Sequence, residues 1–373
     1  MKTNYRYFIT GGIVSLLFSV NAQTASTIGQ TTGDPSGIAV DATGNVYIAE
    51  RAPTPRITKI NQTTGQSSVF SNSGIMDPLH IAVGSDNKLY VADYAGGKIL
   101  TIPSAGGPAT PYVTGATQPV GIVFDMDTLY YIEYSSQMIF KVLPGGGSVG
   151  GSNVIQISDS AFWMGPNARG TGLTLLSDGN LFVTAALHYS HYVVNKSTGS
   201  IITEIYSDES IVFNATLLSD GNIYMPGYNT NKIYKWNDTQ SDSYSFFGNG
   251  SPNSVDGSDT IAAFHGPYYI AKDQNDNLYV SDSDSKKIRK ITNAIATLTE
   301  HKQGIVSISP NPASSLINIL LDREDTLTIL SSEGRIIAKL SGASAYAFDV
   351  SELNNGFYFI KSENSGTQRF IKH

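Results

Sequence analysis

Between residues 264 and 292 short apolar runs alternate with polar turns. Runs at 268–271, 277–281 and 287–291 are rich in Tyr, Val and Ile, and turns at 273–276 and 282–285 are rich in Asp, Asn and Ser. Aromatic and β-branched residues suit a pleated, half-buried surface, while Asp, Asn, Gly and Ser supply turn geometry. Three such strands cannot bury their apolar faces alone, and the chain answers by repeating the unit. Copies begin at Asp34, Asp77 and Gln118, with looser ones at Arg169 and Asn214. The aromatic of the second strand recurs at Tyr47, Tyr90, Tyr130, Phe182, Tyr224 and Tyr279, at intervals of 43, 40, 52, 42 and 55 residues. A period of roughly 40–50 residues with several strands per unit predicts the blades of a β-propeller. No unit carries apolar residues at helical spacing, which excludes a helical solenoid.

Six copies predict six blades. The units resemble the NHL repeat: a proline, a small residue, an Ile/Val run, an acidic or Asn/Gly turn, then a Leu-Tyr-Val-x-Asp type strand and a closing Ile-x-x-Ile. The sixth unit also carries that family's long lead-in, from Phe246. The resemblance covers about residues 24–300 and implies a fold rather than one function, because such propellers serve as binding modules, scaffolds and occasional lyases or lactonases.

The first 22 residues read as an export signal. Lys2 and Arg6 form a basic start, residues 13–20 a short apolar core, and Val20-Asn21-Ala22 a small-residue cleavage site. That core falls far short of the roughly 20 residues that span a bilayer, so no transmembrane segment is expected. Without Lys2 and Arg6, 22 basic residues face 31 acidic ones, a net charge of −9. No lysine- or arginine-rich run stands out, which speaks against nucleic acid and anionic membranes as partners. The absence of cysteine rules out disulfides, thiol catalysis and thiolate-bound metals.

A ring of blades must close without an open sheet edge. The run at 26–28 sits one strand ahead of the first unit and is expected to supply the outer strand of blade six; residues 295–299 compete for that role. In four-stranded blades the a–b and c–d turns lie on one face, and the b–c and d–a connections on the other. The a–b turns, such as 41–45, 84–88 and 273–277, are stereotyped and read as structural, with no EF-hand spacing for calcium. The opposite face collects the variation. Its candidate ligand residues are His80, Asp93, Glu133, Trp163, Arg169, His188, Tyr189 and His191, because loops on a rigid scaffold commonly carry function.

Each candidate has a structural alternative. Glu50, Asp93, Glu133 and Asp282 hold one repeated position, where a carboxylate can accept backbone N–H bonds. His188 and His191 lack the spacing of a helical zinc motif. His80 stands where Gly37, Gly121 and Gly172 recur, and residues 162–164 form an apolar cluster in a long loop. Four Asn-x-Ser/Thr sites, at Asn61, Asn195, Asn214 and Asn237, carry little information. No serine–histidine–acid order, phosphate-binding loop or paired-carboxylate motif is present, and the residues leave cofactor and metal unassigned.

After residue 304 the grammar changes. Alternating apolar runs broken at Glu333-Gly334 and Asn354-Asn355-Gly356 predict six or seven short strands in a small Ig-like β-sandwich. The Pro-Asn-Pro opening at 310–312, the Gly334-Arg335 turn, the Asp349-Val350-Ser351 motif with its following Leu, Gly, Tyr and Lys, and the basic-apolar tail closely resemble the type A C-terminal sorting domain of the type IX secretion system. That resemblance implies the type IX secretion machinery as a partner, reached through 307–373, and a destination outside the outer membrane.

The expected architecture is therefore all-β: a signal peptide at 1–22, a six-bladed propeller at 23–300, a linker at 301–306 and the sorting domain at 307–373. The expected function is a secreted or surface-attached binding module for a glycan, peptide or protein. The alternative is a metal-assisted lyase or lactonase-like enzyme at the channel mouth, whose family ligands do not map onto this chain. The signal makes one direct prediction: N-terminal sequencing of the exported protein should begin at Gln23, and retention of Met1 would overturn it.

Overall fold

The computed structural model describes residues 23–62, 64–158, 169–186, 189–207, 211–236, 244–292, 294, 305–332, 334–362 and 366–373. The chain divides into two compact units, with the boundary between residues 296 and 297. Every regular element among the described residues is a strand.

In the first unit the described strands form six sheets, each built on antiparallel neighbours, with Gly147–Ser148 added parallel to the edge of the second. The first sheet runs Pro35–Val40, Val46–Glu50, Arg56–Ile60 and Ser67–Ser71. The innermost strands of the six sheets are Pro35–Val40, Pro78–Val83, Pro119–Asp125, Arg169–Leu175, Thr216–Leu217 and Pro267–Lys272. Each packs against the next in that order, and the last packs against the first, so the sheets close a ring. Second strands such as Val46–Glu50 and Leu89–Asp93 are buried along their whole length, because both faces meet a neighbouring sheet.

The ring is sealed by the segment expected to seal it. Thr24–Gln30 pairs antiparallel with Lys287–Thr292 and so becomes the outer strand of the sixth sheet. Residues 295–299 lie outside the described residues, as does the signal segment. Beyond Thr24, Gly257–Ser258 adds two residues to the same edge. The lead-in that carries it is tied down by Arg289, a fully buried side chain. Its guanidinium donates to the carbonyls of Ala263 (2.8 Å) and Val255 (2.7 Å) and to Asp256 (2.8 Å), and it lies over the Phe264 ring.

One crowded position decides how close the sheets come. Inner strands carry a bulge between their first residues and the run that follows, at Pro35/Ile38, Pro78/His80, Pro119/Gly121, Gly170/Gly172 and Pro267/Tyr269. Registers align Gly37, His80, Gly121, Gly172, Asn214 and Tyr269 at one site around the ring. A Cβ on Gly37 would lie 2.7 Å from the His80 Cα, one on Gly121 2.6 Å from the Gly172 Cα, and one on Gly172 2.6 Å from the Phe213 carbonyl oxygen. Only glycine admits such backbone approach.

The second unit differs from the expectation of six or seven short strands. It is one sheet of five strands, two of them long: Leu316–Ser331 and Ile336–Asp349, of 16 and 14 residues. The charged stretch at 322–325 is carried through as irregular strand with register shifts on either side of Asp325. Both halves of the long hairpin feed one core, with Ile317, Ile319, Leu327, Ile329, Phe348, Tyr358 and Phe370 among its members. The Pro-Asn-Pro opening docks on the final strand: the Asn311 side chain accepts from the Ile371 N–H (2.9 Å) and donates to the Arg369 carbonyl (3.2 Å).

Removing residues 23–33 strips the sixth sheet of its outer strand and exposes the edge at 287–292. The melting temperature of the first unit should fall by about 5 °C or more. An unchanged melt would show that the seam does not carry the ring.

Candidate functional site

The repeated acidic position is structural. Asp93, fully buried, accepts the N–H groups of Asp77 (2.6 Å) and Met76 (3.1 Å). Glu133 accepts the Thr117 N–H (2.8 Å) and the Ser136 hydroxyl (2.5 Å), and Asp282 accepts the His265 N–H (2.6 Å). Glu50 takes the Gly33 N–H (2.6 Å), Thr58 and Arg56. Burial pushes the Glu50 carboxyl up, but the bonds from Arg56, Thr58 and Gly33 outweigh it and leave it below its ordinary value. Each carboxylate thus pins the connection entering its sheet to the turn leaving its second strand.

His80 is also built into the wall. It is buried, its Nδ1 accepts the Ile122 N–H of the next inner strand (3.0 Å), and its ring stacks on Tyr269 at 5.1 Å. Burial lowers its pKa to about 3, so it is neutral at physiological pH. Asn214 does the same work three sheets on, accepting from the Ile270 N–H (2.8 Å) and donating to the Ile270 carbonyl (2.7 Å). Its sequon is therefore buried and committed. His191 is buried with Nδ1 accepting the Ala185 N–H (3.2 Å), Arg169 opens the inner strand of the fourth sheet, and Tyr189 is exposed. Trp163 and His188 lie outside the described residues. The structure does not bring the candidates together: Asp93, Glu133 and His191 each serve the scaffold of their own sheet, and His80 ties its sheet to the next.

What converges lies one residue away. Leu79, Val120, Thr171, Phe213 and Tyr268, each just before the crowded position, line an axial cavity of about 170 Å³, so five of the six sheets bring their innermost segment to it. Above them stand Arg51, Tyr94 and Tyr134, each the residue after a repeated acid. Arg51 and Tyr268 also line an adjoining cavity of about 600 Å³, with Asp34, Asp77, Tyr228, Asp284 and Lys286. Apart from Tyr268, on an inner strand, these residues belong to b–c turns or d–a connections, on the face that sequence variation marks.

Arg51 donates to both oxygens of Asp77 (2.6 and 2.7 Å). That pairing holds the guanidinium firmly protonated. The Tyr228 hydroxyl donates to Asp284 (3.1 Å). Phe213 meets Tyr268 at 4.1 Å between centroids, Tyr228 meets Tyr268 at 5.8 Å, and Tyr94 meets Tyr134 at 6.0 Å. Burial pushes the Tyr268 hydroxyl up to about 12. The arrangement offers hydrogen-bond donors and acceptors beside aromatic faces, the mixture that small-molecule sites use. Among the described residues no three His, Asp or Glu groups cluster as a metal would need.

Comparison with known proteins gives the second unit its family. Residues 307–373 match the secretion system C-terminal sorting domain. They form a type IX sorting domain. The protein is therefore exported by that system to the cell surface or beyond. Among the described residues no helix is long and apolar enough to cross a membrane.

The remainder resembles solved β-propellers in fold. A protein of unknown function from Bacteroides thetaiotaomicron VPI-5482 aligns with TM-score 0.58 at 18% identity, over 72% of this chain and 76% of that one. A streptogramin B lyase aligns with TM-score 0.54 at 15% identity, over 73% of this chain and 98% of that one. One curated protein, the adhesin BmaC autotransporter of Brucella suis biovar 1, is 26% identical over 207 residues, which is 49% of this chain and only 6% of its own length.

The wall role of His80 predicts a pH dependence. A histidine held neutral in the native state but free to protonate once unfolded lets stability stand in full above its ordinary value of 6.5 and fall as pH drops toward about 3. The slope is up to about 1.4 kcal/mol per pH unit. His80→Asn keeps an acceptor for Ile122, as Asn214 does for Ile270, and removes the titration. Urea midpoints measured from pH 7 to 4 should therefore fall less steeply in His80→Asn than in the parent; parallel slopes would contradict this.

Proposed function

We propose that the exported chain is a six-bladed, NHL-type propeller acting as an extracellular binding module, with its ligand at the axial mouth. In this reading residues 1–22 are the leader, 23–300 the propeller, 301–306 a linker, and 307–373 a sandwich-like sorting domain. The observation that carries it is the cavity shared by Arg51 and Tyr268. There, charged pairs and aromatic faces from several sheets converge at the end of a rigid ring. The partial likeness to an adhesin is compatible with a surface-binding role. The metal-assisted enzyme reading needs a cluster of donor side chains, and the mouth is instead lined by paired charges and tyrosines.

The test uses labelled full-length protein titrated onto outer-membrane fragments and spent-medium polymer from the producing cells. Saturable binding is expected for the parent and for Asp220→Asn on the opposite face, with about a tenfold or greater loss in the double variant Arg51→Ala/Tyr268→Ala. Equal binding by all three proteins would remove the mouth as the site.

A further inference from the structure

Three observations narrow the class of ligand. The first is that the charged groups at the mouth are already engaged. Arg51 holds Asp77 bidentately, Lys286 lies 3.4 Å from Asp34, and Asp284 accepts the Tyr228 hydroxyl (3.1 Å). A charged ligand would have to pull one member out of such a pair and leave the other uncompensated. A hydroxyl need not, because it both donates and accepts and can join a pair without breaking it. The second is the platform of Phe213, Tyr228 and Tyr268 beside that belt, half-buried and with their rings in contact. Such faces pack against the C–H surface of a ring that is polar only at its rim.

The third observation is Tyr269. It is fully buried, borders the axial cavity, and its hydroxyl has no hydrogen-bond partner. Buried tyrosine hydroxyls are ordinarily satisfied, so an orphan beside a cavity points to a polar partner within it.

We propose that the mouth binds the end of a neutral saccharide. One sugar ring stacks on Tyr268, its hydroxyls join the Arg51–Asp77 and Tyr228–Asp284 pairs, and one reaches the Tyr269 hydroxyl. This rests on the reading of the mouth as a ligand site. The cavity of about 600 Å³ falls within the usual range for small-molecule sites.

Full-length protein is titrated calorimetrically with maltohexaose, cellohexaose, laminarihexaose and mannohexaose, with hexagalacturonate as the charged counterpart and a tryptic casein digest as the peptide probe. At least one neutral hexasaccharide should bind, more tightly than hexagalacturonate. Its affinity should fall about tenfold or more in Tyr268→Ala and in Arg51→Ala, and stay unchanged in Asp220→Asn. Tyr269→Phe, which keeps the ring and removes only the hydroxyl, should weaken binding with an unaltered melt. Binding only by hexagalacturonate, no binding by any neutral hexasaccharide, or neutral binding indifferent to Tyr268→Ala and Tyr269→Phe would overturn the proposal. Peptide binding lost in Arg51→Ala, without saccharide binding, would sink the ligand class and leave the mouth standing; binding of any probe indifferent to every mouth variant would sink both.

Discussion

Six inner strands crowd one axis, and the free space at a single residue per strand sets how near they come. Where that residue is Gly37, Gly121 or Gly172, backbone meets backbone at distances no Cβ tolerates. Where it is not glycine, the side chain must be absorbed. His80 and Asn214 turn outward-reaching groups into bonds with the next strand, and Tyr269 stacks on His80 although the first sheet lies between theirs in the ring. In five of the six strands the preceding residue then lines the axis. The lining of the mouth follows from the packing of the wall.

The same economy governs the second strands. Their terminal carboxylates at 50, 93, 133 and 282 are spent on backbone N–H groups, which fixes the turns that follow. Arg51, Tyr94 and Tyr134 are thereby presented by turns that hardly need ordering when something binds. Preorganisation of this kind lowers the entropic cost of association.

The repeat made the ring legible from residues alone, because period, turn chemistry and strand composition all agree. The sorting domain was legible as a string of motifs, although its described strands are fewer and longer than the six or seven short ones expected. The site was half legible. The varied turns mark the face where Arg51 and Tyr268 line two cavities, but His80, Asp93, Glu133 and His191 stood out as polar departures that turn out to be buried and bonded into the scaffold. Arg51, Tyr228 and Tyr268 escaped notice because a residue beside a repeated position carries no signal of its own. Its meaning comes from five other strands, and reading one place past each repeated acid would have found Arg51, Tyr94 and Tyr134.

The seam between Thr24–Gln30 and Lys287–Thr292 has a bearing on when the protein becomes a protein. Apart from the two residues of Gly257–Ser258 at the same seam, every other pairing in its sheets joins stretches near one another in the chain, so five sheets have all their strands as soon as their own residues exist. The sixth has to wait for both ends, separated by some 260 residues. Loop closure over such a span costs only slowly more as length grows, but it is a late contact by necessity. Until it forms, the first and last sheets meet solvent across an open gap, with apolar faces that the finished ring hides. Maturation is thus gated at a single join, and a chain delivered across an envelope arrives functional only when its beginning has found its end.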